Sequence, residues 1–506
     1  MKFRLLLTIA VLATASIETF AQYTADALRF SLTQSGSTAR FKAIGAQIGV
    51  GGDLSSIGSN PAGIGLFTKS DFSFTPEFNA INANASYLND NSIGQKDQLN
   101  IGHAAVVWNQ KLSKPKGSDL GKGWISFNYG IGYNRTKSYG DNFLFSGTNP
   151  KNSIADYYSE LATSNFGAPN TLSRGSLERM AYDNYVIGYD NFDGTYFPET
   201  DVNNKQTKND IRTGSQSEIN FAFGANYSNQ FFIGASLGIT SLRYSTDAVY
   251  KETGYNVTED NNYDLSFRQS QTTRGTGINA RLGAIYRPNK TLRLGATLET
   301  PTWSSIDDRY SEGLDTKYGR NRVDSSFVND DSVYDFSYRL RTPLKLSGGV
   351  GVFFNKSGFI SADIDYVDYS TINLSSYENE IDSDVIVDNN REILKTFKSA
   401  INFRLGTEIK FNNLMLRAGY GVQGNPYQEK KDDNGRILTN FKEQFKIQTY
   451  SGGLGYRIND VYFDLTYQQV AYNTQISPYI LNDGTNPVAN IDNKRNNIFL
   501  TIGKRF

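Results

Sequence analysis

The sequence predicts an all-β chain, a 14-stranded antiparallel transmembrane β-barrel plugged by its own N-terminal segment. Three observations carry this. Apolar and polar residues alternate in many short segments, the period-two signature of strands. Short and long connections between these segments take turns, as an up-and-down barrel with tight turns at one rim and large loops at the other requires. After residue 21 no run of eighteen apolar residues occurs, so a chain that enters lipid must do so as a closed barrel, the other structure that satisfies every backbone polar group there.

Composition removes whole classes of function. The 506 residues include no Cys and a single His, His103, which excludes disulfide scaffolds, thiolate zinc sites, Cys nucleophiles and multi-histidine metal centres. Fifty-one basic side chains balance 51 acidic ones, which argues against nucleic-acid binding by bulk electrostatics. No metal, cofactor or enzymatic step is expected.

Taken in order, residues 1–21 read as a cleaved export signal. Lys2 and Arg4 precede the apolar run Leu5 to Ala15, and Thr19, Phe20 and Ala21 offer a cleavage site before Gln22. Residues 22–69 do not alternate and form the expected plug. Asp53 is placed to cap a helical turn, and Asn60 to make an Asx-turn before the φ-locked Pro61.

The barrel is expected over 70–506. Candidate strands are 70–88, 98–113, 122–137, 216–228, 230–247, 263–287, 291–303, 334–354, 358–370, 397–411, 413–423, 445–458, 460–471 and 494–506. Between Ala400 and Phe411, Ile401, Phe403, Leu405, Ile409 and Phe411 share one face while Arg404, Glu408 and Lys410 share the other. Long loops are expected at 89–97, 138–215, 248–262, 304–333, 371–396, 424–444 and 472–493, with helix-like stretches at Ser153–Thr163 and Ser173–Ala181. The chain ends on Ile498, Leu500, Ile502 and Phe506, the pattern of a last strand presented to barrel-insertion machinery. Abundant Tyr and Phe suit aromatic girdles at the membrane interfaces.

Thr38-Ala-Arg-Phe41, Gly51-Gly-Asp-Leu-Ser-Ser56, Asn60-Pro-Ala-Gly63 and the strand-opening Phe72-Ser-Phe74 resemble the FadL/TodX-type outer-membrane transporters of long-chain fatty acids and other hydrophobic compounds, in the form common in Bacteroidetes. The resemblance covers essentially the mature chain. It implies a monomeric outer-membrane barrel in contact with lipid and lipopolysaccharide, whose N-terminal hatch carries Asn60, Pro61, Ala62 and Gly63. It also implies passive uptake of a hydrophobic small molecule, with sideways exit at a kink in the third strand, where Gly130 and Gly132 are positioned to loosen the ladder. The large loop 138–215 departs from the pattern and leaves the ligand pocket unmapped.

Strand parity places Arg281, Arg293, Arg339, Arg341, Lys345, Arg404 and Arg417 in the lumen with Glu299, Asp363, Asp365, Glu408 and Asp464. These arginines are candidate contacts for a ligand carboxylate, beside the more usual reading that they are the cations of a salt-bridge network that stiffens the barrel. Pro76 and Pro343 interrupt candidate ladders and mark either a gate or a bulge. Acidic groups at Asp330-Asp331 and Asp382 to Asp388 read as solvated loop charge. Gly234-Ala-Ser-Leu-Gly238 matches a nucleophile-elbow string, but Ser236 sits mid-strand, and Gly419 to Gly424 matches a dinucleotide fingerprint without a βαβ unit. His103 shares parity with Leu99 and Ile101, an awkward place for a base. Two other functional readings stand beside transport: a secretion-associated outer-membrane scaffold whose outer loops dock protein cargo, and haem uptake, for which the chain is short of His and Met ligands.

Overall fold

The computed structural model describes residues 17–117, 119–319, 325–327, 331–355, 357–376, 383–428 and 447–506. Most of the expected export signal (1–16), Asp330 and Asp382 lie outside them.

The strands close into a 14-strand antiparallel barrel. Its strands are β1 (Asp71–Tyr87), β2 (Asp90–Lys111), β3 (Trp124–Ser138 continued by Asp141–Asn149), β4 (Asn204–Tyr227), β5 (Phe231–Asn256), β6 (Asn261–Tyr286), β7 (Leu292–Glu299 and Trp303–Gly319), β8 (Ser332–Arg341 and Lys345–Phe353), β9 (Gly358–Asp368 and Asn373–Ser376), β10 (Ser399–Phe411), β11 (Leu414–Gln423), β12 (Ile447–Ile458), β13 (Val461–Ile476) and β14 (Ala489–Arg505). Pairing of β1 with β14, from Asp71↔Arg505 to Ser86↔Asn490, seals the cylinder. Outward positions such as Ile233, Leu282, Leu405, Leu454 and Leu500 are exposed, so the wall shows an apolar face to its surroundings, as a lipid-embedded barrel must. Aromatic pairs line the short-turn rim, among them Phe231 stacked on Tyr286 and Trp124 edge-on to Tyr227, where amphipathic rings meet headgroups. No described helix is long and apolar enough to cross a membrane.

The far rim differs from expectation. Residues 90–97 are strand, because Leu88 and Asn89 adopt φ of 49° and 69° and close a tight turn. β5 and β6 each run for 26 residues, against roughly 9–11 needed to cross lipid. Their outer halves extend beyond the span that lipid requires, with Tyr250, Tyr263, Leu265 and Phe267 turned inward under the cap. A folded cap fills the expected loop 138–215: α3 (Ile154–Asn165), α4 (Leu177–Asp183) and a hairpin of Ile187–Asp190 with Thr195–Pro198. Tyr158, Met180, Val186 and Tyr196 of this cap pack with Tyr250, Phe267 and Leu314 of the wall.

The N-terminal segment lies inside the barrel. It comprises α1 (Ile17–Ser31), α2 (Ala39–Ile44) and two 3-10 turns, Leu54–Gly58 and Pro61–Leu66. α5 (Ser383–Thr396) stands beside β9, where Asn390 exchanges hydrogen bonds with the Leu374 backbone at 2.8 and 2.9 Å.

Candidate functional site

The plug is a chain of capped turns. Thr38 Oγ1 accepts from Phe41 N to start α2, Asp53 Oδ1 accepts from Ser55 N at 2.9 Å, and Asn60 Oδ1 accepts from Ala62 N at 3.2 Å. Each short polar residue answers orphan amides at a helix start. Because these turns are too short to satisfy themselves, wall side chains finish the work. Thr501 and Thr466 bind the two backbone groups of Ala39, Asp363 Oδ2 takes the amides of Gln47 and Ile48 at 2.5 and 2.9 Å, and Asn128 Nδ2 donates to Ile64 O at 2.6 Å.

Close approach needs a wall without side chains. A Cβ at Gly234 of β5 would lie 2.5 Å from Ala62 N, and one at Gly419 of β11 would lie 2.5 Å from Ala43 O. Gly234 and Gly419 therefore serve the contact between plug and wall, which accounts for both chance motifs. Asn60 itself is buried and donates to Ile48 O at 2.8 Å and to Ala284 O of β6 at 3.4 Å.

Ion pairs join plug and barrel. Arg40 pairs with Glu408, Glu408 with Arg417, and Arg417 with Asp464. Arg281 bridges Glu218 and Glu299, Arg404 binds Asp365, and Arg293 donates to Val50 O at 2.7 Å. These four lumenal arginines are thus engaged with protein groups. Arg339 and Arg341 point the other way, a correction to the expected parity: the ladder breaks at Thr342, Pro343 and Leu344, so that Tyr338 and Leu340 face inward above the break and Lys345 and Ser347 below it.

The third strand does break, but later than expected. Gly130 and Gly132 pair normally with Val107 and Ala105 and pack on Ile57 of the plug. The interruption is at Tyr139 and Gly140. Beyond it β3 turns inward, where Phe143 and Phe145 pack on Ala83, Ala85 and Tyr87. The β2–β3 ladder therefore ends at His103↔Asn134, and the edge of β2 from Asp90 to Gly102 has no β3 ladder partner. Side chains alone span this breach, as in Asn142 Nδ2 to Gln95 O at 3.1 Å. Pro76 marks a bulge, in which Gly102 is left out between Thr75↔His103 and Pro76↔Ile101. The bulge flips parity, so Leu99 and Ile101 face out while His103 faces in.

His103 meets Ser73 Oγ through Nε2 at 3.0 Å, and Asn134 Oδ1 and Ser37 Oγ through Nδ1 at 2.7 and 3.0 Å. The order resembles a hydrolytic triad, yet Ser73 is fully buried between wall and plug. With no room beside the hydroxyl for a carbonyl, the group is a structural clasp.

Above the plug lies a cavity of about 570 Å³. α1 roofs it through Leu28 and Arg29, with Leu32 just past the helix end, and Lys137 and Tyr139 at the β3 break border it. Lys42 and Lys137 are among its lining residues. Lys42 is buried, with Nζ 3.5 Å from Gln34 Oε1 and over the Phe499 ring, and Lys137 Nζ donates to Arg29 O at 2.7 Å. Neither forms an ion pair among the described residues. Burial, the larger influence, pulls the Lys42 ammonium below the ordinary lysine range, and the Glu77 carboxylate opposes it. Sequence parity misses both lysines, since one sits in the plug and the other next to the break.

No family model matches the chain, and no curated protein matches it. Solved structures do. A Pseudomonas aeruginosa FadL homologue aligns with TM-score 0.55 and 13% identity over 94% of this chain and 99% of that one. The P. putida toluene transporter TodX aligns with TM-score 0.53 and 13% identity over 94% and 99%. A TodX deltaS2S3 mutant described as a monoaromatic hydrocarbon channel gives TM-score 0.51 and 12% identity over 94% and 100%. The chain has the FadL/TodX-type barrel fold.

Proposed function

We propose that this chain, with the FadL/TodX-type fold as premise, is a Bacteroidetes-type transporter that passively takes up hydrophobic compounds across a Gram-negative outer membrane, long-chain fatty acids first among them. One observation carries the reading: a lumen cavity of about 570 Å³ is lined by Lys42 and Lys137, which form no ion pair among the described residues, and Lys137 stands beside a breach in the wall. The volume falls in the range typical of small-molecule sites, roughly 300–1,000 Å³. A carboxylate supplies the anionic partner that the two lysines lack among the described residues, while Leu28, Leu32 and Val470 offer surface to an alkyl chain. Residues 22–69 act as the hatch, with the Asn60–Gly63 turn as its seat. Monoaromatic hydrocarbons, which the TodX structures' names describe as cargo of those proteins, suit the apolar surface and leave the lysines unused. Mass spectrometry of small molecules co-purifying from mild detergent tests this. Enrichment of fatty acids over a variant lacking 34–66 supports the reading. Recovery of neutral aromatics alone would replace the substrate class, and recovery of no ligand would remove the reading.

A second reading, the secretion-associated scaffold that docks protein, is favoured by the cap, which holds Phe192 almost fully exposed (96%) with Phe197 and Tyr185 also open to solvent. Alanine at Phe192 and Phe197 separates the two. Loss of a bound protein with ligand recovery intact supports docking.

A further inference from the structure

The wall fails a second time, farther round the barrel. Between the pairs Glu299↔Lys345 and Trp303↔Arg341, three residues of β7 and three of β8 leave the ladder together. They are Thr300-Pro301-Thr302 and Thr342-Pro343-Leu344. Both prolines lack the amide that a ladder needs. What remains is one threonine pair, Thr302 N to Thr342 Oγ1 at 2.8 Å and Thr342 N to Thr302 O at 3.1 Å. β9 departs at the same level, where Tyr369–Thr371 coil into a 3-10 turn. Three adjacent strands thus lose regular pairing side by side.

Both sides of this weak point are hollow. Inside, Thr302, Thr342 and Pro343 line the same lumen cavity that reaches Lys137 and the β3 break. Outside, on the apolar face, a groove of about 600 Å³ is floored by Ala284, Ala296 and Gly348 and ends at Leu298 and Leu346, just short of the break. Thr297 and Ser347 border both spaces. Thr297 is 7% exposed, and its Oγ1 is buried without a hydrogen-bond partner among the described residues, so the wall between the two spaces is not fully satisfied there.

Resting on the transport reading above, we propose that the Thr300–Thr302 and Thr342–Leu344 break is a second lateral portal, and that the groove beyond it receives the alkyl chain of the lumen ligand, a single-chain carboxylate amphiphile. The apolar tail leaves a mixed polar cavity for a surface lined by Ala, Leu, Ile and Tyr, a transfer that burial of methylenes drives. The head group is retained on the lumen side. Within the break the threonine pair is the hydrogen-bonded contact between β7 and β8, whereas Leu292–Glu299 and Trp303–Glu312 on either side are held to β8 by ladder pairing, with the Glu299–Lys345 ion pair at the near edge.

The chain has no cysteine, so introduced thiols act alone. One staple joins Thr302→Cys to Thr342→Cys, and a second joins Gln98→Cys to Gly140→Cys across the β2–β3 breach. Each full-length variant is reconstituted in vesicles, and protein-dependent transfer of a fluorescent fatty acid is followed before and after reductant. Expected is a several-fold slowing by the first staple that reductant reverses. Gly348→Leu should slow transfer likewise by filling the groove, since a Cβ there meets only Ile364 Cγ2 at 3.7 Å and heat-modifiable migration reports that the barrel still folds. An unchanged rate with the first staple and with Gly348→Leu, combined with arrest by the second staple, overturns the portal and leaves the transport reading standing. Transfer no faster than in protein-free vesicles for the unmodified chain overturns both.

Discussion

Arg40 in the plug holds Glu408 of β10 with two nitrogens, Nε at 2.8 Å and Nη2 at 3.2 Å. The same carboxylate receives Arg417 Nε at 2.7 Å, and Arg417 reaches Asp464 at 2.5 Å. Two cations and two anions therefore alternate in a row that starts in the plug and ends in the wall. Such a row is balanced only when complete, because each buried charge relies on the next.

Arg40→Met should free the plug without unfolding the barrel. Removal of one partner from a buried pair typically costs about 3–5 kcal/mol. Hydrogen exchange is expected to quicken at residues 39–66 and to stay slow in the β13–β14 ladder. Equal protection at 39–66 in the variant would mean that the backbone contacts alone hold the plug.

Gly234→Ala should displace the Asn60–Gly63 turn, since the new methyl arrives 2.5 Å from Ala62 N and Pro61 O, where backbone cannot yield. A cysteine placed at Ala62, fully buried in the parent, is expected to resist maleimide in the Ala62→Cys protein and to react once Gly234→Ala is added. Equal protection in both proteins would contradict the tight seat.

Much of this architecture is legible in the order of the residues. Alternation from Ala400 to Phe411 identifies the wall, Asp53 and Asn60 announce their caps, and the parity of Arg281, Arg404 and Arg417 places them inside. Parity fails wherever a strand drops a residue or a turn. The Gly102 bulge turns His103 inward, and the Pro343 break turns Arg339 and Arg341 outward; Pro76 and Pro343 mark both places in the sequence, but a proline does not say how many residues the ladder drops. The candidate strand 263–287 covers nearly all of β6, whereas the end of β5 beyond residue 247 and the start of β4 before residue 216 are missed, because polar residues such as Lys251, Glu252, Asn204 and Gln206 there blur the contrast on which period two depends. Lys42 and Lys137 leave no signal because a plug folded against a broken strand has no sequence period.

Glu252 is the keystone of the cap. Fully buried, it accepts from Ser153 Oγ at 2.5 Å, Ile154 N at 3.2 Å, Tyr250 OH at 2.5 Å, Tyr263 OH at 2.7 Å and Gln206 Nε2 at 3.0 Å. Glu252→Ala leaves these donors facing a void, each unsatisfied group costing about 1–3 kcal/mol. Limited proteolysis is expected to cut between α3 and α4 in the variant far sooner than in the parent, with heat-modifiable migration of the barrel unchanged. A cap that resists protease equally would show that its apolar cluster suffices.

The charge of Lys42 sets a pH dependence for ligand capture. Burial depresses its pKa, so the free protein loses the ammonium at a lower pH than an exposed lysine does. A bound carboxylate favours the charged form and raises that pKa again. Affinity for a fatty acid should therefore be full below the depressed value, provided the acid is ionised, and should decline as pH rises from the depressed value toward the raised one. Lys42→Met should lose about 1.5–3 kcal/mol of binding, the scale of a hydrogen bond to a charged group, and flatten the profile. Lys42→Arg should retain binding at a pH where the parent has lost it, because guanidinium stays charged. Fluorescent fatty-acid titrations in detergent across a pH series decide this. Identical curves for the parent and Lys42→Met would remove Lys42 from the site and leave Lys137 as its cation.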